Sequence, residues 1–284
     1  MSLRSRPARL LPASALVLFA ACVPDAPASL SADTATAPAR AGADASAGLH
    51  RQYGPPVRVG QGTARTYVVL EAKDGQRAVE LGVALDEGAL QGLPTDERMH
   101  VYDLRLPARS PAPYQFVQLD WNAHGHPPMG VYTDPHFDFH FYVISTAERD
   151  AIVPTDPAFA AKASHLPPEE YRPESYVPLV PPGGAPADAA VPMMGVHWFD
   201  VRSSEFNGGS FARTFIYGSW DGQVTFYEPM ITRAYLLSRP DAVDPIGVAP
   251  QVRQPGDYPT AYRVSYDAHS REYRVALSGL VARF

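Results

Sequence analysis

The chain is poor in cysteine, poor in charge and, beyond its first residues, free of long apolar runs. A single Cys among 284 residues excludes an internal disulfide and any zinc site built from several thiolates. A metal site in this protein has to be assembled from His, Asp and Glu. Charged residues amount to 19%, against about 25% in ordinary soluble proteins, and acids outnumber bases by 30 to 24. That balance excludes a basic nucleic-acid binder. No stretch has the roughly 20 consecutive apolar residues of a membrane-crossing helix. Also missing are the G-x-S-x-G nucleophile elbow, the H-E-x-x-H zinc motif and a glycine-rich phosphate loop. What is abundant is proline (30) and glycine (21), with 45% hydrophobic and 11% aromatic residues. This composition points to one turn-rich, strand-rich domain.

The first 21 residues read as an export signal. Arg4, Arg6 and Arg9 form a basic head, and residues 13–21 form an apolar, small-residue run too short to span a bilayer. Cys22 follows directly in Leu18-Phe19-Ala20-Ala21-Cys22, which resembles a bacterial lipoprotein cleavage site with Phe where Leu is commonest. The expectation is a lipidated Cys22 and a membrane partner reached through that anchor. A plain signal peptide cut near Ala21 is the alternative. Residues 22–48 are dominated by Ala, Pro, Ser, Thr, Asp and Gly and read as a tether that cannot bury enough apolar surface to fold. Loss of residues 1–21 removes three arginines and no acids, taking the net charge from −6 to −9. The predicted location is periplasmic or cell-surface.

From residue 49 to 284 the dominant period is two, which predicts a single all-β domain, an antiparallel barrel or a two-sheet sandwich with a few short helices. Residues 65–72 and 77–86 read as a hairpin around Lys73-Asp74-Gly75-Gln76, followed by one helical turn to residue 91. Further strands are expected at 101–106, 114–121, 136–144, 195–201, 210–217, 223–227, 261–266 and 272–281. Short helices are expected at 146–152 and 158–164, the latter capped by Asp156 and Pro157, and 231–238 fits helix or strand. Residues 166–192 are punctuated by proline so densely that they read as a long surface loop, a lid or a partner-contact arm.

Four of the nine histidines fall between positions 124 and 140. In PHFDFHFY, strict alternation puts His136, Asp138, His140 and Tyr142 on one face and Phe137, Phe139 and Phe141 on the other. The phenylalanines must pack on something apolar. The imidazoles, with a carboxylate between them, are then placed to converge on one ion where the strand twists or bulges. His124 and His126 offer further nitrogens from a turn that Gly125 and Gly130 allow to be tight. His197 and Glu228, each flanked by aromatics, are the distant partners. Imidazole with carboxylate suits zinc, iron, manganese, copper or nickel. Two plainer readings stand beside this one: a hydrogen-bonded polar ladder inside the fold, and a solvated sheet face. The carboxylates Asp120, Asp138, Glu205 and Glu228 could also include a glycosidase-type pair, although their spacing selects no two of them.

Two family resemblances arise at these residues. His124-x-His126 with Pro192-Met-Met-Gly195-Val-His197 loosely resembles the metal motifs of cupins, but Gly130 and Val131 stand where the cupin glutamate belongs, so the likeness is architectural. The segments GHPPMGVYTDPHFDFHFY (125–142) and EFNGGSFARTFIYGSWDGQVTFYEPMIT (205–232) resemble a family of exported bacterial proteins of unknown function, a Thermus TTHB-type domain. The resemblance spans about residues 55–240 and implies a β-rich envelope domain without an established activity, with homo-oligomerisation open. It places His126, His136, Asp138, His140 and Glu228 at matching positions. Whether the domain is an enzyme is left open. Metal-assisted hydrolysis or mononuclear oxidoreduction is one class, and a non-enzymatic binding or assembly module with a structural histidine network is the other.

Overall fold

The computed structural model describes residues 48–71, 77–181 and 183–284. The export signal, Cys22, the tether up to residue 47 and the expected turn at Lys73-Asp74-Gly75-Gln76 lie outside the described residues. The strands, in chain order, are β1 (Leu49–Tyr53), β2 (Val57–Val59), β3 (Gly62–Glu71), β4 (Ala78–Asp86), β5 (His100–Arg105) and β6 (Phe116–Asn122). They continue with β7 (His136–Tyr142), β8 (Tyr176–Pro178), β9 (Ala190–Val191), β10 (Gly195–Asp200), β11 (Arg213–Trp220) and β12 (Gln223–Thr232). The last five are β13 (Asp241–Pro245), β14 (Gly256–Tyr258), β15 (Ala261–Asp267), β16 (Glu272–Ser278) and β17 (Val281–Arg283). Three short helices, α1 (Thr146–Asp150), α2 (Phe159–Ser164) and α3 (Arg233–Leu237), lie in the connections.

Two large antiparallel sheets result. The first runs β1-β3-β4-β16-β15-β13 with β2 beside β3, and the second runs β5-β6-β7-β12-β11-β10-β8 with β9 beside β10. Both are open, so the sandwich rather than the barrel is the architecture. The first sheet is assembled from the two ends of the domain, since β4 pairs with β16. Its inner face (Val68, Leu81, Val83, Leu85, Val264, Val275, Leu277) shares one apolar cluster with Val117, Leu119, Phe137, Phe139, Phe141 and Tyr227 of the second sheet. Burial of these alternating side chains at about 25 cal/mol per Å² is what holds the sheets together.

The outer face of the second sheet departs from the usual polar, wet exterior. All seven residues of β6 and of β7 are buried. Residues of the connecting chain, among them Tyr132, Ile152, Ala163, Met194 and Phe211, pack in two apolar pads. Tyr132, Phe199, Phe211, Ile216 and Met230 form one, and Phe116, Tyr142, Ile144, Met194, Trp220 and Phe226 belong to the other. The polar outward residues of β6 and β7 are trapped between them.

Several local expectations change. Residues 166–192 are not wholly irregular: β8 and β9 pair with β10 at the sheet edge, where Pro178 needs no ladder donor. Strand β11 extends to Trp220 and β12 to Thr232, because both faces there are buried and the pairing pays off over its full length. The ambiguous 231–238 segment is divided between the end of β12 and α3, whose N-cap is Thr232. Asp156 is not the cap of α2: its carboxylate accepts from the Ala158 amide at 2.9 Å and shapes the preceding turn. Helix α1 does have its cap, with Ser145 and Glu148 exchanging bonds in a capping box. Phe139 is fully buried in the common core. Its replacement by Ala is expected to cost about 3–5 kcal/mol of unfolding free energy, read by urea denaturation; a loss below about 1 kcal/mol would deny it that central place.

Candidate metal centre

Register brings the polar side chains together. Across β6 and β7, Gln118 faces His140, Asp120 faces Asp138 and Asn122 faces His136. On the other flank β12 contributes Glu228, and β10 contributes His197 from beyond β11. His197 can reach across because its neighbour on β11 is Gly218, which in turn faces Phe226. A Cβ on Gly218 would meet the Phe226 ring at 2.1 Å. The absence of that carbon lets Phe226 lie edge-on to His140, with ring centres 4.8 Å apart, and 5.3 Å from His197.

Two triads emerge, each of two histidines and one carboxylate with ligand atoms within 4.8 Å of one another. They are His126, His136 and Asp138, and His140, His197 and Glu228. In the first, Asp138 lies 3.2 Å from His136 Nε2 and 3.5 Å from His126 Nε2. In the second, Glu228 lies 3.4 Å from His140 Nε2 and 3.8 Å from His197 Nε2. Ligand bonds of about 2.0–2.2 Å set coordinating atoms roughly 3–4 Å apart, so both spacings fit an ion. His136 and His140 do not converge on one ion, as the alternation alone suggested. A rise of four strand positions sets them about 13 Å apart, and each turns to a different partner set. His124 joins neither triad: it is exposed, with Nε2 2.9 Å from the Thr95 carbonyl.

The polarity of the contacts matters more than their lengths. His136 Nδ1 is 2.7 Å from the Asp134 carbonyl and His126 Nδ1 is 2.7 Å from that of Pro127. With Nδ1 donating to its carbonyl, each ring turns Nε2 toward the Asp138 carboxylate. That contact is favourable only with a positive charge there, either a second proton on the ring or a bound cation. Asp120 Oδ1, His136 Nε2, Asp138 Oδ1, both ring nitrogens of His140 and Glu228 Oε2 are buried without a hydrogen-bond partner. Buried polar groups are almost always paired, so this concentration on one face marks a site.

The two triads differ electrostatically. Burial opposes the Asp138 charge, but His136 and His126 outweigh it and hold the carboxyl below the usual range. His126 is raised despite its burial because it faces Asp138. Burial drives His140 down to about 4 and, with help from His140 and His126, His197 down to about 3. Burial and then the Asp138 charge push Glu228 and Asp120 well above the ordinary carboxylate value. The first triad thus favours charge on Asp138 and His126, while the second disfavours charge on all three of its members; a bound cation would favour an ionised Glu228.

Asp120 is the central residue that the PHFDFHFY pattern missed. The signal was present one strand earlier, where FVQLDWN alternates Gln118, Asp120 and Asn122 with Val117, Leu119 and Trp121. Gln118 donates to Asp120 at 2.8 Å and Asn122 donates to Asp138 at 2.7 Å. Gly218→Ala is expected to displace Phe226 and destabilise the fold by about 1–3 kcal/mol through overpacking. Chemical denaturation measures this, and an unchanged midpoint would mean that the ring is free to swing away.

No curated protein and no solved structure matches the chain. One family model does, over β4 to β6, a span that includes Asp120 but stops short of the 125–142 and 205–232 segments. Residues 74–121 thus match the TTHB210-like family, described as hypothetical protein TTHB210, and over that span the likeness to the Thermus-type domain of unknown function holds.

Proposed function

We propose that the chain is an exported, lipid-anchored envelope protein whose β domain binds a divalent transition metal through its histidine–carboxylate triads. The observation that carries this reading is the approach of His136 Nε2 to Asp138 Oδ1 at 3.2 Å, both atoms buried without a hydrogen-bond partner. Two neutral imidazoles with one carboxylate suit zinc, iron, manganese or copper. The His126 side chain, 32% exposed, offers an ion a route from solvent. A bound ion would supply a Lewis acid and lower the pKa of a coordinated water. Metal analysis of the purified full chain is expected to give stoichiometric metal, and His136→Ala with His140→Ala is expected to remove it. Wild-type protein that stays metal-free after exposure to each of these ions sinks the reading.

A second reading is favoured by the Asn122–Asp138 and Gln118–Asp120 hydrogen bonds. In it the histidines belong to a structural polar network of a non-enzymatic binding or assembly module. It is supported if the double substitution lowers Tm sharply while metal content is near zero in both proteins.

The anchor rests on Cys22, the only cysteine, lying directly after Ala20-Ala21. In a bacterial host the full chain is expected to incorporate labelled fatty acid and sediment with membranes, and Cys22→Ser is expected to abolish both. A wild-type protein that takes up no label favours the plain signal peptide.

A further inference from the structure

The two triads are built on different supports. His136 and Asp138 stand buried on β7 beside His140, and only His126 comes from the 123–135 segment; the Nδ1 atoms of His126 and His136 meet the carbonyls of residues 127 and 134. His140, Glu228 and His197 stand on β7, β12 and β10. Side chains on packed strands are held more closely to a given geometry than those on loops.

His140 has a further partner. Its ring lies between two carboxylates, with Nε2 3.4 Å from Glu228 and Nδ1 3.4 Å from Asp120. Asp120 is completely buried, and its Oδ1 has no hydrogen-bond partner. Its orientation is set from outside the site. Arg149 donates to Gln118 Oε1 at 3.0 Å, which turns the amide nitrogen of Gln118 toward Asp120 Oδ2 at 2.8 Å. Arg149 is itself held by Asp103 at 2.6 Å and lies over the Phe116 ring. The Nδ1–Asp120 approach falls short of a hydrogen bond, and with an ion in the inner site an ionised Asp120 would draw the ring proton to Nδ1 and leave the Nε2 lone pair to the space shared with Glu228 and His197. Such a carboxylate behind a ligating imidazole raises its basicity and fixes its tautomer. No side-chain carboxylate stands behind His126 or His136; their Nδ1 atoms meet backbone carbonyls.

We propose that the triads are two separate ion sites and that Asp120 is the positioning residue of the inner one, acting through His140 to make it the tighter of the two. This rests on the metal-binding reading above. The inner ion is held by strand residues alone and exchanges slowly; the outer ion, reached past the partly exposed His126, exchanges faster.

Zinc titration of the full chain against a chromophoric chelator tests this. Wild type is expected to take two equivalents with separate affinities. Asp120→Asn is expected to weaken the tighter one by about 10–100-fold and leave the weaker unchanged, whereas His126→Ala removes only the weaker. Arg149→Gln, distant from both ions, is expected to shift the tighter affinity in the same direction by less, and carries the test if Asp120→Asn does not fold. Near-UV circular dichroism reports folding of each variant. A single equivalent in wild type, or an Asp120→Asn or Arg149→Gln effect that is absent or equal at both sites, overturns the proposal. No equivalents at all overturns the metal-binding reading with it.

Discussion

Strand β7 has no wet side, and much of the molecule follows from that. Phe137, Phe139 and Phe141 drive one face into the sandwich core, and alternation then forces His136, Asp138 and His140 onto the other. That face is roofed by connecting chain resting on two apolar pads. A polar group shut in without a partner costs about 1–3 kcal/mol, and this face holds several such atoms. A fold under pressure only for stability would have placed apolar residues or a closed hydrogen-bond network there. The arrangement instead leaves His136 Nε2, Asp138 Oδ1, both ring nitrogens of His140 and Glu228 Oε2 unpartnered on one buried face.

The roof and the sheet contribute differently. The 123–135 segment brings His126 down onto Asp138, forming a group in which each favours the other's charge and which is partly open to water. The strands bring His140, His197 and Glu228 together as a nearly sealed group. Gly218 makes the second group possible, because a strand normally separates its two neighbours by a row of side chains. Here that row is interrupted where His197 must lean toward Glu228.

Much of this was legible in the sequence where local pattern and tertiary outcome agree. The alternation in RTYVVLEA, RAVELGVALD and HFDFHFY gave strands, and the proline density of 166–192 excluded a central strand. The two-sheet class followed from the same period. Less legible was anything decided by register. Nothing local says that Asp120 stands opposite Asp138, or that His197 and Glu228 meet across Gly218. The separation of His136 from His140 was open to arithmetic on the strand rise, yet which partners each would find depended on β12 and on the 123–135 segment. Short edge strands such as β8 and β13 carry too few residues for periodicity to show, and they owe their existence to the neighbour they pair with.

The first sheet is built from residues 49–86 and 241–278, with the whole second sheet inserted between its halves. Its central pairing, β4 with β16, joins segments nearly two hundred residues apart. Closing so long a loop imposes an entropic cost before any contact rewards it. A chain emerging from its N-terminus therefore presents the open edge of β4 until Glu272–Ser278 arrives to cover it. The second sheet, contiguous in sequence, can assemble its strands first and offer its phenylalanine face as the surface on which the other closes. The histidine-bearing layer is thus the half that near-sequence pairing can build, and the other half depends on pairing between distant segments.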